Sequence, residues 1–356
     1  GQTIAKDLIL EAIAHGKHVV TANKALLANH GTEIFAVARA KGVMVAFEAA
    51  VAGGIPIIKA LREGLTANRI TWIAGIINGT SNFILSEMRD KGLSFEQVLA
   101  EAQKLGYAEA DPTYDIEGID AAHKITLMSA IAFGIPVQFS KVYTEGITKL
   151  TGEDIRYAEE LGYRIKLLGI TKRVEKGIEL RVHPTLIPVR RLIANVEGVM
   201  NAIVVKGDAV GATLYYGAGA GAEPTASSVI ADLVDVTRMQ TADPMHRVPT
   251  LSFQPDLLSD TPVIPMEDVE TSYYLRMQVI DKPGVMAEIT RIVAENNISI
   301  SALIQKEPSS DSDRVSIIML THLTVEKNIN AAIARIESLP VVTSKVIRIR
   351  IEELNN

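Results

Sequence analysis

The first fifty residues alternate between helical patterns and short apolar runs, and this alternation limits the possible folds more than any other feature of the chain. Amphipathic stretches at residues 3–13 and 26–40 are each followed by a β-rich run, at 18–21 and 43–48. Helices and buried strands in regular succession are typical of a doubly wound unit whose strands run parallel. We therefore predict an α/β fold that begins with part of a parallel sheet.

Changes of pattern divide the rest of the chain. Residues 56–224 mix helical and strand patterns, which indicates an α+β domain, and a helix predicted at 225–238 returns to the first unit. Clustered prolines without periodicity predict a linker at 251–271. The first unit is then a partial Rossmann-type parallel sheet, built from residues 1–55 and about 225–250.

The C-terminal residues, 272–356, have a pattern of their own. We predict strands at 273–280, 298–306, 314–321 and 341–351, and helices at 285–296 and 325–338. This βαββαβ order is that of a ferredoxin-like domain.

Composition excludes several classes of protein. Without cysteine the chain has no disulfide framework, thiolate nucleophile or zinc–thiolate site, and we expect a cytoplasmic protein. A net charge of −6 argues against nucleic acid as the partner, and apolar stretches such as 125–137 are too short to span a membrane. The helical pattern already under way at Thr3 leads us to expect a further segment before Gly1.

Two lysines lie where chemistry could occur. Lys24 follows a predicted parallel strand, at the sheet edge where open α/β folds bind ligands, although spacing alone favours a helix-capping Asn23 followed by a solvated lysine. Lys124 lies one helical turn after Asp120, which is also the spacing of an ordinary exposed ion pair. Their apolar neighbours indicate partial burial, and burial lowers the pKa of a lysine toward values that suit proton transfer. Asp120 would hold this ammonium.

Other motifs are less specific. Glu109 and Asp115, on the loop before that helix, could bind a substrate ammonium group. The loop at 48–55 has one acid and many free carbonyls, which could hold a monovalent cation, although a tight glycine turn is favoured on the sequence alone. The histidines lack metal-type spacing, and no nucleophile motif of a hydrolase is present.

Taken together, these motifs resemble the homoserine dehydrogenases over roughly the first 240 positions. The matching segments are 21–24 (TANK), 48–55, 78–80 (NGT), 106–124 and 219–222 (GAGA). The resemblance implies oxidation of the hydroxyl of L-homoserine to L-aspartate 4-semialdehyde with NAD or NADP, the physiological direction being the reduction, in threonine, methionine and isoleucine biosynthesis. Hydride transfer of this kind needs orientation and a proton acceptor rather than a protein nucleophile.

The resemblance also implies roles for individual residues. Lys124 resembles the proton donor and acceptor, Lys24 a second catalytic lysine close to nicotinamide and substrate, and Asp120 and Glu109 the substrate-holding acids. Other residues implied at the substrate pocket are Thr80, Tyr107 and Asp115. Residues implied at the cofactor are Thr3, Lys24 and Gly219. Residues implied at a sodium site are Glu48 and the carbonyls of Val51, Gly53 and Ile55. Residues 56–224 would form the catalytic and dimerisation domain.

The C-terminal domain resembles an ACT domain. The residues that carry this resemblance and would be regulatory are Asp281, Gly284, Asn297 and Ile298. The resemblance implies L-threonine as the feedback effector and a homodimer or homotetramer. A dimerisation module that binds nothing is the alternative, because Asp-Lys-Pro-Gly is also simply a good turn.

One departure from the family pattern leaves a second function open. The family's glycine-rich dinucleotide loop belongs upstream of Gly1, and with it the residue that distinguishes NAD from NADP. A chain without that loop could act only as an amino-acid-binding or assembly module.

Overall fold

The computed structural model describes residues 2–305 and 313–355, and its N-terminal unit has the predicted order of helices and strands. The elements are α1 (Gln2–Ala14), β1 (Val19–Val20), α2 (Lys24–Ala40) and β2 (Val45–Ala46). β1 and β2 pair in parallel, with Val19 opposite Val45, which confirms the predicted α/β arrangement. Both strands are shorter than their apolar runs, and within the described residues each pairs only with the other.

The middle of the chain is an α+β region, as predicted. Its helices are α3 (Ile57–Lys59, continued by a π-helical turn at Ala60–Gly64), α4 (Gly79–Lys91), α5 (Phe95–Lys104), α6 (Thr113–Ile116), α7 (Ile119–Phe133) and α8 (Gly152–Glu160). Its strands are β3 (Ile70–Ile76), β4 (Tyr143–Thr144), β5 (Tyr163–Val174), β6 (Gly177–Pro188), β7 (Met200–Gly207) and β8 (Gly211–Ala218). The α7 helix is buried along nearly its whole length, which agrees with its mostly apolar sequence, and the polar side chains that it carries are buried with it.

Helix α9 (Ala222–Met239) returns to the loop that follows β2. The hydroxyl of Ser228 donates to the carbonyl of Gly53 (2.7 Å), and the carboxylate of Asp232 accepts from the backbone amide of Glu48 (2.9 Å). These two bonds attach α9 to the loop at 48–55, which follows β2 of the first unit.

The C-terminal region has the predicted βαββαβ order with one short strand added. Its elements are β9 (Glu270–Ile280), α10 (Val285–Glu295), β10 (Ile300–Gln305), β11 (Arg314–Thr321), β12 (Thr324–Val325), α11 (Glu326–Glu337) and β13 (Ile347–Ile351). The predicted end of the second strand, Lys306, lies outside the described residues. The agreement confirms the ferredoxin-like expectation.

The sheets of the middle and C-terminal regions are joined, which the sequence pattern does not predict. Within the described residues one continuous sheet has the order β10-β11-β9-β13-β6-β5-β3-β7-β8. The junction is a parallel pairing of β13 with β6, in which Ile351 lies opposite Leu186.

Buried charges reinforce this junction. Arg276 of β9 donates to the fully buried Asp154 of α8 (Nε to Oδ1, 2.6 Å), and Arg350 of β13 donates to Glu145 (Nη1 to Oε2, 2.8 Å). The C-terminal region is therefore packed against the middle one rather than tethered to it.

The predicted linker also packs against the sheet. The backbone amide of Ile178 donates to the carbonyl of Pro262 (2.9 Å), and the amide of Ile264 donates back to the carbonyl of Ile178 (2.9 Å). The segment around Pro262 thus lies along the start of β6. Among the described residues, no helix is both long and apolar enough to cross a membrane.

Candidate active site

The predicted ion pair on α7 is buried and has a third member. Lys124 Nζ lies 2.6 Å from Asp120 Oδ2 and donates to the carbonyl of Ile77 (2.7 Å). Lys24 Nζ lies 3.1 Å from Asp120 Oδ1. Asp120 and Lys124 are each only 8% exposed, so they are not an ordinary surface pair. Asp120 therefore joins two ammonium groups, one from α7 and one from α2.

Local capping positions Lys24 at the start of α2. The side chain of Asn23 accepts a hydrogen bond from the amide of Leu26 (3.1 Å), and its own backbone amide donates to the hydroxyl of Thr21 (3.1 Å). Asn23 is thus the helix cap that spacing favoured. The following lysine is not simply solvated, because it reaches Asp120.

Electrostatics keep this carboxylate ionised. Burial alone would raise the pKa of Asp120, but the charges of Lys124 and Lys24 hold it well below its ordinary value. Asp120 is thus an anion between two lysines.

A second carboxylate lies beside the first. Asn78 Nδ2 donates to Asp115 Oδ1 (2.7 Å) and to Asp120 Oδ2 (3.0 Å). Burial raises the pKa of Asp115, and the nearby charge of Asp120 raises it further, whereas the hydrogen bond from Asn78 lowers it. Two acids of the same site are therefore linked through one neutral amide.

The sequence does not predict a role for Asn78, although the segment 78–80 (NGT) that contains it is part of the family resemblance. A polar residue between a strand and a helix signals an N-cap, and Asn78 does accept from the amide of Ser81 (2.8 Å). A cap signal does not indicate which groups the rest of the side chain reaches.

The structure brings Thr80 to this cluster and Tyr107 to Thr80, and it shows no contact between Glu109 and the cluster among the described residues. Thr80, beside Asp115, donates to the carbonyl of Tyr107 (2.6 Å), and the Tyr107 ring packs edge-on against Phe83 (5.0 Å between centroids). Glu109 lies on the loop after α5 with its side chain exposed, and its carbonyl accepts from Gln103.

Among the predicted cofactor residues, Gly219 closely approaches another glycine. A Cβ atom at Gly53 would lie 2.5 Å from the carbonyl oxygen of Gly219, and a Cβ at Gly219 would overlap the side chain of Asn201. Only glycine fits at these two points, because neighbouring parts of the chain already fill the space that a side chain would need. Thr3 is exposed on the first turn of α1.

The predicted sodium loop uses its acid for another purpose. Both carboxylate oxygens of Glu48 accept backbone amides at the start of α3, from Ile58 (2.8 Å) and Lys59 (2.9 Å). Burial raises the pKa of Glu48 to about 7 despite these two bonds. The carbonyl of Gly53 accepts from Ser228. In the described part of the chain, no group of three or more acidic or histidine side chains could hold a metal ion.

The predicted regulatory residues lie at both ends of α10. The turn before it has Gly284 in the left-handed region (φ 92°) and lines a cavity of about 470 Å³ together with Asp281 and Gln305. Asn297, also left-handed (φ 57°), and the buried Ile298 follow the helix, about 16 Å away along its axis. One chain therefore does not bring these two pairs into one cavity.

Sequence-family models match most of the chain. The homoserine dehydrogenase model matches residues 56–234, the model of the homoserine dehydrogenase NAD-binding domain matches residues 1–48, and the ACT domain model matches residues 273–341. The homoserine dehydrogenase of Pseudomonas aeruginosa is 66% identical over 355 residues, which cover all of this chain and 82% of that relative.

The chain belongs to the homoserine dehydrogenase family.

Solved structures of homoserine dehydrogenases agree with this assignment. The crystal structure of the enzyme from Thiobacillus denitrificans is 72% identical with a TM-score of 0.96, covering all of this chain and 81% of that one. A hyperthermophilic archaeal homoserine dehydrogenase in complex with NADPH is 29% identical with a TM-score of 0.58, covering 66% of this chain and 68% of that one.

Membership identifies the reaction. The protein is an oxidoreductase that interconverts L-homoserine and L-aspartate 4-semialdehyde with a nicotinamide cofactor, and it carries an ACT domain. The alternative of a module that only binds or assembles is therefore not favoured.

Proposed function

We propose that the cluster around Asp120 carries out this reaction, with Lys124 exchanging a proton with the substrate hydroxyl. The observation that supports the proposal most is the pair of lysines held by one buried carboxylate, at 2.6 Å and 3.1 Å. When bound, a nicotinamide cofactor supplies the hydride acceptor or donor. The chain itself then has to orient the alcohol, move one proton and limit access of water.

Each member of the cluster has a separate task in this proposal. Lys124, fixed by Asp120 and by the carbonyl of Ile77, gives a proton from its ammonium group to the aldehyde oxygen during reduction. During oxidation Lys124 starts as the neutral amine and takes the hydroxyl proton. Lys24, which is more exposed, would act close to both nicotinamide and substrate. Asp120 keeps the two ammonium groups at fixed positions although their charges repel each other.

The remaining acids hold the amino-acid end of the substrate. Asp115 and Glu109 attract its ammonium group, while Thr80 and Tyr107 complete the wall of the pocket. Support for this part is the contact of Thr80 with Tyr107 and its position beside Asp115.

The cofactor is proposed to be NAD or NADP, bound near Thr3, Lys24 and Gly219. Support for this position is the match of residues 1–48 to the NAD-binding domain of homoserine dehydrogenases and the partly exposed side chain of Lys24 beside Asp120. The archaeal relative in complex with NADPH makes NADP the first cofactor to test.

A sodium ion is proposed at the loop at 48–55, bound by main-chain oxygens. Carbonyl oxygens are suitable ligands for a hard cation, and Val51, Gly53 and Ile55 supply them. The carboxylate of Glu48 already accepts two backbone amides at 2.8 and 2.9 Å, whereas its main-chain carbonyl accepts one long bond from Val51 (3.3 Å), so we assign the main-chain carbonyl to the ion.

Regulation by L-threonine is proposed at the turn containing Asp281 and Gly284. The cavity at this turn supports the assignment. Because Asn297 and Ile298 lie at the other end of α10, we propose that they meet this turn across two chains of a homodimer or homotetramer.

We also propose that the domains of the chain divide at about residues 55, 224, 250 and 271.

Replacement of the central carboxylate tests the proposed site. Asp120→Asn keeps the size of the side chain but leaves Lys24 and Lys124 without a counter-charge, so homoserine-dependent reduction of NADP or NAD should fall by about 10²-fold or more. The assay is the absorbance of the reduced nicotinamide. Wild-type turnover in the variant would show that the cluster is not the catalytic site.

A further inference from the structure

We infer that Asn78 is a positioning residue that links substrate recognition to proton transfer by holding Asp115 and Asp120 together. This inference rests on the proposed function, in which Asp115 binds the substrate ammonium group and Asp120 orients Lys124.

The first step is the geometry of one buried amide. Asn78 is 5% exposed, and its Nδ2 group donates to Asp115 Oδ1 (2.7 Å) and Asp120 Oδ2 (3.0 Å). Its Oδ1 atom accepts from the amide of Ser81 (2.8 Å). Both hydrogens of the NH₂ group are therefore used, one on each carboxylate, while the oxygen fixes the plane of the amide through the start of α4.

The second step is the position of Asn78 in the chain. The preceding residue, Ile77, accepts a hydrogen bond from Lys124 through its carbonyl (2.7 Å). Two consecutive residues at the end of β3 thus contact Asp115, Asp120 and Lys124. Asp115 comes from α6 and the other two come from α7, so the end of β3 connects these two helices at the site.

The third step is electrostatic. The charged groups that face Asp115 are Asp120 and Lys124 of α7. Lys24 of α2 reaches the site through Asp120. The groups beside Asp115 at the start of α4 are neutral, namely Asn78, Thr80 and Ser81. Burial and the charge of Asp120 both raise the pKa of Asp115, and donation by Asn78 opposes them. A neutral double donor is the type of group that lets a buried carboxylate and a half-buried one stay ionised side by side.

The choice of asparagine therefore has a specific consequence. Aspartate at position 78 would cap α4 equally well, and it has the same shape, but it would place a third acid between Asp115 and Asp120 and could not donate when ionised. A purely structural cap would tolerate that change, whereas a positioning residue would not.

The experiment compares Asn78→Asp with Asn78→Ser in the full chain. Each variant keeps a capping oxygen and loses the double donation, and Asn78→Ser adds no charge, so it remains informative if the aspartate variant folds poorly. For both variants we expect the KM for homoserine to rise about tenfold, which corresponds to the loss of the charge-assisted hydrogen bond to Asp115. The KM for the nicotinamide cofactor should change by less than about twofold.

The pH profile supplies a readout that a structural role would not move. Losing the donor raises the pKa of Asp115 further, so the acidic limb of kcat/KM for homoserine should shift upward by about one pH unit in Asn78→Asp. Ser94→Ala is the control, because Ser94 caps α5 outside the cluster. It should lower thermal stability and leave the profile unchanged.

Outcomes separate this inference from the function on which it rests. If Asp115→Asn raises the KM for homoserine but both Asn78 variants retain wild-type KM and pH profile, the inference is wrong and the function stands. If Asp115→Asn leaves that KM unchanged, the proposed role of Asp115 fails. Equal changes in the KM of homoserine and of cofactor in the Asn78 variants would indicate general loosening and overturn the inference.

Discussion

Replacement of Lys124 by methionine separates proton transfer from substrate binding. The variant removes a charge that lies 2.6 Å from Asp120 and donates to Ile77 at 2.7 Å, while the methionine retains most of the stem. The fold should persist, because Lys24 and Asn78 still contact Asp120 at 3.1 Å and 3.0 Å. We expect a stability loss of about 1–3 kcal/mol, the cost of leaving a buried acceptor without its donor.

The effect on catalysis should be much larger. A positioned general acid or base contributes roughly 10²- to 10⁴-fold, which at about 1.4 kcal/mol per factor of ten corresponds to about 3–5 kcal/mol of transition-state stabilisation. Because the ammonium group of homoserine is assigned to Asp115 and Glu109, the KM for homoserine should change by less than about threefold. The loss is therefore expected in kcat.

The assay is steady-state reduction of the nicotinamide at saturating cofactor, with homoserine varied. Lys104→Met, which removes an exposed lysine on α5, is the matched control and should behave like the wild type. Thermal unfolding of each variant shows that it is folded. A Lys124→Met enzyme with normal kcat and a raised KM would refute the proton-transfer role.

Three further predictions concern stability and regulation. Asp154→Ala leaves Arg276 without its fully buried partner, so the free energy of unfolding measured with denaturant should fall by about 3–5 kcal/mol. Glu295→Ala, which removes an exposed ion pair, is the control and should leave the denaturant midpoint unchanged. Glu48 has a pKa of about 7 in the folded protein and an ordinary pKa of 4.5, so between these pH values the folded state binds more protons than the unfolded state. The free energy of unfolding should therefore fall by about 3 kcal/mol as the pH rises through this window. Glu48→Gln should flatten this pH dependence, and an unchanged slope in the variant would contradict the assignment. Truncation after Asp268 should abolish inhibition by threonine, because it removes the proposed binding turn. It should also lower the melting temperature, because β6 loses its pairing with β13. Inhibition that persists in the truncated protein would contradict the regulatory role.

Much of the fold follows from local pattern. The many apolar residues of α7 predict its burial, and alternating periodicities predict the C-terminal βαββαβ order. The i, i+4 spacing of Asp120 and Lys124 placed both on one helix face without any tertiary information. Short-range regularities of this kind depend only on neighbouring residues, which is why they can be read from the chain.

The remaining features depend on contacts between distant segments. Lys24 joins Asp120 from 96 positions away, Asn78 reaches two acids at once, and the carboxylate of Glu48 caps a helix that the sequence treats as a separate element. The pairing of β13 with β6 turns two predicted domains into one sheet. By itself the sequence determined the elements, the candidate residues and the family they resemble; the tertiary structure decided which charged groups meet and which are buried, because burial and distance between remote segments, rather than periodicity, set their electrostatic coupling.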